Sequence, residues 1–320
     1  MVTLMSGNQF PLTEGAELEV DPTMKMAPYM DLVTGLYGYI DIEGQVVIEP
    51  RFQYAEAFNE GVAVVAESNS KGTFYGYIDR KGDVLLPFKY DYARAFHEGL
   101  AIVSQDGDML VVNKAGDASF KVPSGYVAGD YSNGLAPVYP LKESEVKENL
   151  SGYMDRNGQI SIEMKIIKGM PFQDGLAQVF LSKDGKRGWG FINVKGDIVI
   201  EPRYISSEPF SQGVAAVAIR DDDGNKKWGY INTSGEYVID PIFDSAFAFS
   251  ENLAVVYLDD QGYGYIDRNG TLVIGPDFKM ATPFSNGYAS VRKNSTDFHC
   301  IDKTGEMLFE VENMLIFEFK

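Results

Sequence analysis

The chain has little of what most enzyme chemistry requires. One cysteine in 320 residues, Cys300, excludes an internal disulfide and fits an oxidising or a reducing compartment equally. Histidine occurs only as His97 and His299, and with a single thiol this is too little to complete a zinc shell. Phosphate-binding loops of the Gly-x-x-x-x-Gly-Lys-Ser/Thr kind are missing, as is a strand-led Gly-x-Gly-x-x-Gly. No cofactor and no metal is therefore expected. Basic residues are scarce: 28 Lys and Arg stand against 46 Asp and Glu, giving a net charge of −18 without a basic cluster. A phosphate backbone or an anionic membrane would be repelled, which argues against nucleic acid as a partner. Long apolar runs are also absent, so membrane insertion is not expected. The opening MVTLMSGNQFPLTEG lacks the charged and apolar regions of a secretory leader. As written the chain reads as cytoplasmic, with cell surface or secretion left open if a leader has been removed.

What the chain does have is aromatic residues and glycine in a repeat. The segment YGYIDIEG at 37–44 returns as YGYIDRKG at 75–82, SGYMDRNG at 151–158, WGFINVKG at 189–196, WGYINTSG at 228–235 and YGYIDRNG at 263–270. Two worn copies are MLVVNKAG at 109–116 and FHCIDKTG at 298–305. The Asp/Asn-x-x-Gly core is intact in all eight, its glycines 34 to 42 residues apart. Such a period denotes one repeat array rather than the two domains that length alone suggests. With 45% apolar residues the chain can fill a core throughout.

Each copy reads as strand, turn, strand. Asp or Asn caps a type I turn and Gly takes the positive φ of a G1 bulge, which fixes the register of the hairpin. Pro50, Pro202, Pro241 and Pro276 fall six residues after the turn glycine, where the second strand is expected to stop. Residues then recur at intervals of three, as in Phe52, Ala55, Phe58 or Phe243, Ala246, Phe249, which suits a helical or 3₁₀-like turn. A third strand follows in the pattern Phe-x-x-Gly-(Leu/Val)-Ala-x-Val, with Asn252 replacing the glycine once, as a position at φ > 0 allows. From the turn glycine to this second glycine the spacing is 17 in six copies, whereas from there to the next aromatic-Gly site it varies from 11 to 18. Insertions therefore gather in one set of hairpins along one edge.

The second strand is apolar at both parities, as in Val46-Val47-Ile48, which implies cover on both faces. The expected fold is all-β: about eight repeats, each a three-stranded antiparallel meander, stacked as a closed propeller or an open β-solenoid-like array. The eighth copy runs out before its third strand, and FPLTEGAELEV at 10–20 resembles that strand. Residues 1–35 are thus expected to complete or cap the array formed by 36–320, and the apolar tail MLIFEFK at 314–320 to add a final strand.

The whole unit, aromatic-Gly-Tyr-Ile-Asp-x-x-Gly through Phe-x-x-Gly-Leu-Ala-x-Val, resembles the WG-repeat proteins of bacteria over about residues 36–311. The Trp-Gly pair survives at Trp189-Gly190 and Trp228-Gly229, while Tyr37, Tyr75, Met109, Ser151, Tyr263 and Phe298 stand at the Trp position elsewhere. The resemblance implies a β-rich scaffold, and supplies no catalytic residue to carry over.

No catalytic residue stands out from the sequence itself. His299 and Cys300 are neighbours on an expected strand and face opposite ways, so they do not pair. The Asp/Asn at 41, 79, 113, 155, 193, 232, 267 and 302 belongs to every hairpin and reads as structural. The aromatic stripe at 37, 75, 189, 228, 263 and 298 reads either as core between repeats or as a sugar-stacking ladder. The run Asp221-Asp222-Asp223-Gly224-Asn225 could hold calcium or form a solvated hairpin. Partner-binding residues are sought in the two most distinctive loops, at Glu143, Glu145 and Lys147 and at Asp221, Asp222 and Asp223. The expected function is a non-catalytic scaffold presenting these loops to a protein or a cell-envelope polysaccharide. The alternative is a carbohydrate-active enzyme with a carboxylate pair in a groove or channel.

Overall fold

The turn chemistry acts locally as the residue types require. In the computed structural model, which describes residues 26–31, 33–41, 45–141, 151–285, 287–293 and 298–311, Asp79 Oδ1 accepts the backbone N–H groups of Lys81 and Asp83 at 2.9 and 3.0 Å. Gly82 follows at φ +85°. Asn193 does the same for Lys195 and Asp197, and the worn copies behave alike, through Asn113 and Asp302. The second turn is tighter than a lone glycine implies. Glu60 and Gly61 are both left-handed, at φ +51° and +80°, between Asn59 and Val62, which exchange both backbone hydrogen bonds. This is a type I′ hairpin. Asn252 takes the glycine's conformation at φ +71°.

These hairpins assemble into eight small antiparallel sheets, the blades of a β-propeller, with no helix among the described residues. The blades span 26–52, 54–90, 92–121, 126–166, 168–204, 206–243, 245–278 and 280–311. Four strands rather than three make a blade; the first shows three among the described residues. In blade 2 the order is Tyr54–Ala55, Val62–Asn69, Gly72–Asp79, Val84–Tyr90. A blade is therefore offset from the sequence repeat, taking the third strand of one copy and the first two of the next. Among the described residues blade 8 has four strands, and Met26–Met30 pairs with Tyr37–Asp41 in blade 1. Segments 10–20 and 314–320 lie outside the described residues.

Three local expectations are corrected. The three-spaced segment is not helical: Gln53 N–H donates to Ala66 and Glu56 N–H to Val64, so Tyr54–Ala55 is a short lead strand by which the chain leaves one blade and joins the next. Proline does not end the second strand, which runs on to Phe52. Between the pairs Tyr39–Ile48 and Tyr37–Phe52 the outer strand carries extra residues, and Pro50 sits in that bulge, where no ladder bond is needed from it. Nor is the second strand covered on both faces: of adjacent residues, Val199 is 41% exposed and Ile200 only 3%, and Val273 is 47% exposed and Ile274 only 7%, because this is the outer edge strand of its blade. Burial on both faces belongs to the central strand instead, where Val62 through Ala66 are all buried.

The core lies between blades. Met26, Tyr39, Ile48 and Phe52 of blade 1 pack with Ala55, Phe58, Ala63, Val65 and Ile78 of blade 2, and the same combination recurs around the array. The Phe58 ring meets Tyr39 at 4.7 Å between centroids. Buried tyrosines also cross the gap with their hydroxyls: Tyr39 donates to the Glu56 carbonyl, Tyr77 to Arg94, Tyr153 to Met170, Tyr230 to Phe247 and Tyr265 to Thr282, all at 2.7–2.9 Å. Burial pushes these phenols well above their usual range.

Candidate binding face

Strand register gives the blades two unlike ends. At one end the Asp/Asn-x-x-Gly turns meet the type I′ turns. Glu60 Oε2 accepts the N–H of Gly99 in the next blade at 3.0 Å, and Lys114 of that blade donates to the Glu60 carbonyl at 2.8 Å and approaches its carboxylate at 3.2 Å. Glu98 likewise takes Gly134 N–H and Arg156, Asp174 takes Gly213 N–H, and Glu251 takes Gly287 N–H and Lys303. Burial raises the Glu60 carboxyl, but Lys114 and the Gly99 and Glu98 N–H groups outweigh it and leave the group below its ordinary value. This end is a clasp between blades. Sequence reasoning missed it, although the signal is visible: an acid before the second-turn glycine, and Lys or Arg after the Asx residue.

At the opposite end lie the variable hairpins and the aromatic-Gly positions. Directly paired residues form a row across each blade there: Tyr54, Ala66, Tyr75 and Tyr90 in blade 2, Lys168, Phe180, Trp189 and Tyr204 in blade 5, Ser206, Ala218, Trp228 and Phe243 in blade 6. The stripe residues belong to these rows. Trp228 is 5% exposed, while Tyr37, Tyr75, Trp189 and Tyr263 are half-buried; the side chain of Phe298 lies outside the described set.

Of the loop residues singled out from sequence, Asp221, Asp222 and Asp223 fall at this end. Asp221 heads its own Asx turn: Oδ1 accepts the N–H groups of Asp223 and Asn225 at 3.1 and 2.7 Å, and Gly224 closes the turn at φ +84°. The carboxylate thus does for this hairpin what Asp79 does for its own, and Asp222 and Asp223 remain exposed. Glu143, Glu145 and Lys147 lie outside the described residues, as does the rest of 142–150.

Two of the recesses among the described residues bear on the site. One of about 460 Å³ is lined by Tyr92, Arg94, Met109, Asp130, Tyr139 and Met170 among others. Arg94 and Asp130 form a two-pronged ion pair in it, Nε to Oδ1 at 2.6 Å and a terminal nitrogen to Oδ2 at 2.7 Å, and that pairing raises the guanidinium above its ordinary value. His97 Nε2 stands 3.9 Å from Asp130 Oδ2. His97 holds the position that Ser132, Ser211 and Ser250 fill in other blades, where the hydroxyl donates to a phenylalanine carbonyl of the next blade. The second recess, about 390 Å³, is lined by Ile162, Glu163, Ile166, Leu181, Lys183, Lys195 and neighbours. Cys300 is buried, which pushes its thiol up, and Ile301 beside it faces the other way.

Comparison with known proteins follows the repeat. The model of the WG containing repeat matches residues 37–70, 75–107, 152–186, 189–221, 228–261 and 263–296. No curated protein matches the sequence. Among solved structures, BamB from Moraxella catarrhalis is 11% identical, with a TM-score of 0.43 over 81% of this chain and 85% of that one. An uncharacterized protein from Listeria monocytogenes EGD-e is 11% identical, with a TM-score of 0.46 over 78% and 91%. The β-propeller domain of the Trilobed protease from Pyrococcus furiosus is 13% identical, with a TM-score of 0.41 over 69% and 81%. With six copies matched over more than half its length, the chain belongs to the family of WG-containing repeat proteins.

Proposed function

We propose that this protein is a non-catalytic binding scaffold that presents its hairpin end to a protein or a cell-envelope polymer. One observation carries the reading. The polar residues that recur from blade to blade shape the hairpin turns and clasp neighbouring blades, whereas residues that differ from blade to blade gather at the hairpin end. Such a division suits recognition through loops on a rigid frame. The carbohydrate-active alternative needs two carboxylates about 5–10 Å apart in one pocket. Each of the two recesses described above is lined by one carboxylate, and Asp130 in the larger of them is paired with Arg94.

The same reading takes the propeller as a closed ring. Met26 and Ala27 in blade 1, and Cys300 and Ile301 in blade 8, are sequence neighbours that face opposite ways, yet all are buried. Closure would cover the outer faces of both terminal blades. The functional test is affinity capture with the intact chain as bait, from lysate and from cell-wall polysaccharide, beside a variant with 142–149 and 221–226 replaced by Gly/Ser. Capture lost in the variant supports the hairpin end. Capture retained moves the site to the blade faces, and capture of nothing removes the support for a binding scaffold.

A further inference from the structure

Cations of the chain itself lie over the aromatic rows of blades 5 and 6. Lys226 Nζ stands 4.5 Å from the centroid of Trp228, Arg187 Cζ 5.2 Å from Phe180, and Lys168 Nζ 5.9 Å from Trp189. Two of these cations come from one sequence position, two residues before the aromatic of the aromatic-Gly pair: Arg187 before Trp189 and Lys226 before Trp228. Lys168 comes from the lead strand, at the head of its row.

In blade 2 the inner part of the row, Tyr54 and Tyr75, lacks the covering cation. Thr73 occupies the position of Arg187 and Lys226, uncharged and joined to Ser68 across the hairpin, and the head of the row is Tyr54 rather than a lysine. Because Ala66 between them is small, the Tyr54 and Tyr75 rings meet above it at 5.8 Å, and Tyr92 of blade 3 meets Tyr75 at 6.0 Å. Tyr54 and Tyr92 are 38% and 44% exposed. Among the described residues no cation stands over these three rings. Lys89 lies over the next ring in the row, Tyr90, and Arg94, at the Tyr92 edge, is bound to Asp130. The charged group that Tyr54 contacts is acidic: its hydroxyl donates to Glu56 Oε1 at 2.9 Å.

Resting on the binding reading and naming its partner chemistry, we infer that Tyr54, Tyr75 and Tyr92 receive a lysine or arginine side chain from a basic segment of a partner protein. The ring faces attract a cation through their quadrupole, Glu56 supplies an anion beside them, and the net charge of −18 draws a basic chain toward the surface. The blade 5 and 6 rows show the same arrangement completed from within.

The test is calorimetric titration of the full chain with a flexible Gly-Ser-Lys repeat peptide and with its Nε-acetylated twin. The lysine peptide is expected to bind about tenfold more tightly than the neutral one. Thr73→Lys, which supplies the internal cover of blades 5 and 6, and Tyr92→Leu are each expected to weaken binding with an unchanged melting temperature. Equal binding of the acetylated peptide, undiminished binding to T73K, or displacement of the peptide by a neutral oligosaccharide would overturn the inference. Absence of peptide binding beside persistent loop-dependent capture sinks this inference and leaves the scaffold reading standing; absence of both sinks the two together.

Discussion

Glycine at the aromatic-Gly site shows how closely one residue is specified. A Cβ on Gly229 would lie 2.6 Å from the Ile239 carbonyl oxygen and 2.7 Å from the Pro241 nitrogen, and Gly190 is confined in the same way by Ile200 and Pro202. The outer-strand bulge crosses directly over the glycine, so Gly and Pro are two parts of one contact. Gly229→Ala is expected to destabilise the fold by about 1–3 kcal/mol, read as a lower midpoint in urea unfolding. The turn aspartates make a second residue-scale prediction. Backbone N–H groups of Thr271 and Asn269 hold the Asp267 carboxyl below its ordinary value, and the Thr304 hydroxyl and backbone N–H groups do so for Asp302. A depressed folded pKa gives stability that is complete above the unfolded value and lost as pH falls through the folded one. Asn193 and Asn232 make the same turn without a titrating group. Asp267→Asn should therefore keep the melting temperature at neutral pH and flatten its decline below about pH 4; an unchanged acid limb would refute this. The Asx turn and its glycine were legible in the sequence because their chemistry is local. The glycine of the aromatic-Gly pair was not, because the atoms that require it come from another strand.

At the scale of the element, sequence periodicity misled where the chain changes partners. Phe52, Ala55 and Phe58 recur by three because Phe52 closes one blade, Ala55 opens the next and Phe58 packs on Tyr39, not because the backbone is helical. The clasp between blades was likewise spread over distant positions, Glu98 and Arg156 being 58 residues apart. Glu98→Ala removes the acceptor for Gly134 N–H and the partner of Arg156, and is expected to cost about 1 kcal/mol. A double-mutant cycle with Arg156→Ala should give a coupling of about 0.5 kcal/mol that shrinks with added salt, since the pair is partly exposed. A coupling of zero at low salt would mean that the Gly134 bond and the Arg156 bond to the Glu98 carbonyl, rather than the ion pair, sustain the clasp.

For the whole molecule, closure predicts the manner of unfolding. A ring in which every blade is covered on both faces should unfold in a single cooperative transition by calorimetry and by far-UV circular dichroism, whereas an open array frays from its ends in separable steps. Resolved transitions would count against the ring. The sequence by itself determined the number of repeats, the hairpin in each, the all-β class and the edge on which insertions collect, because turn residues and spacing act within a few residues of chain. Only the tertiary structure decided that a blade takes strands from two successive repeats, that the three-spaced segment is a lead strand, and that repeated charges clasp adjacent blades. It also decided which aromatic rows carry the chain's own cations. The physical reason is that strand pairing and ring stacking are made between segments far apart in sequence, and a repeat unit of itself does not say where one sheet ends and the next begins.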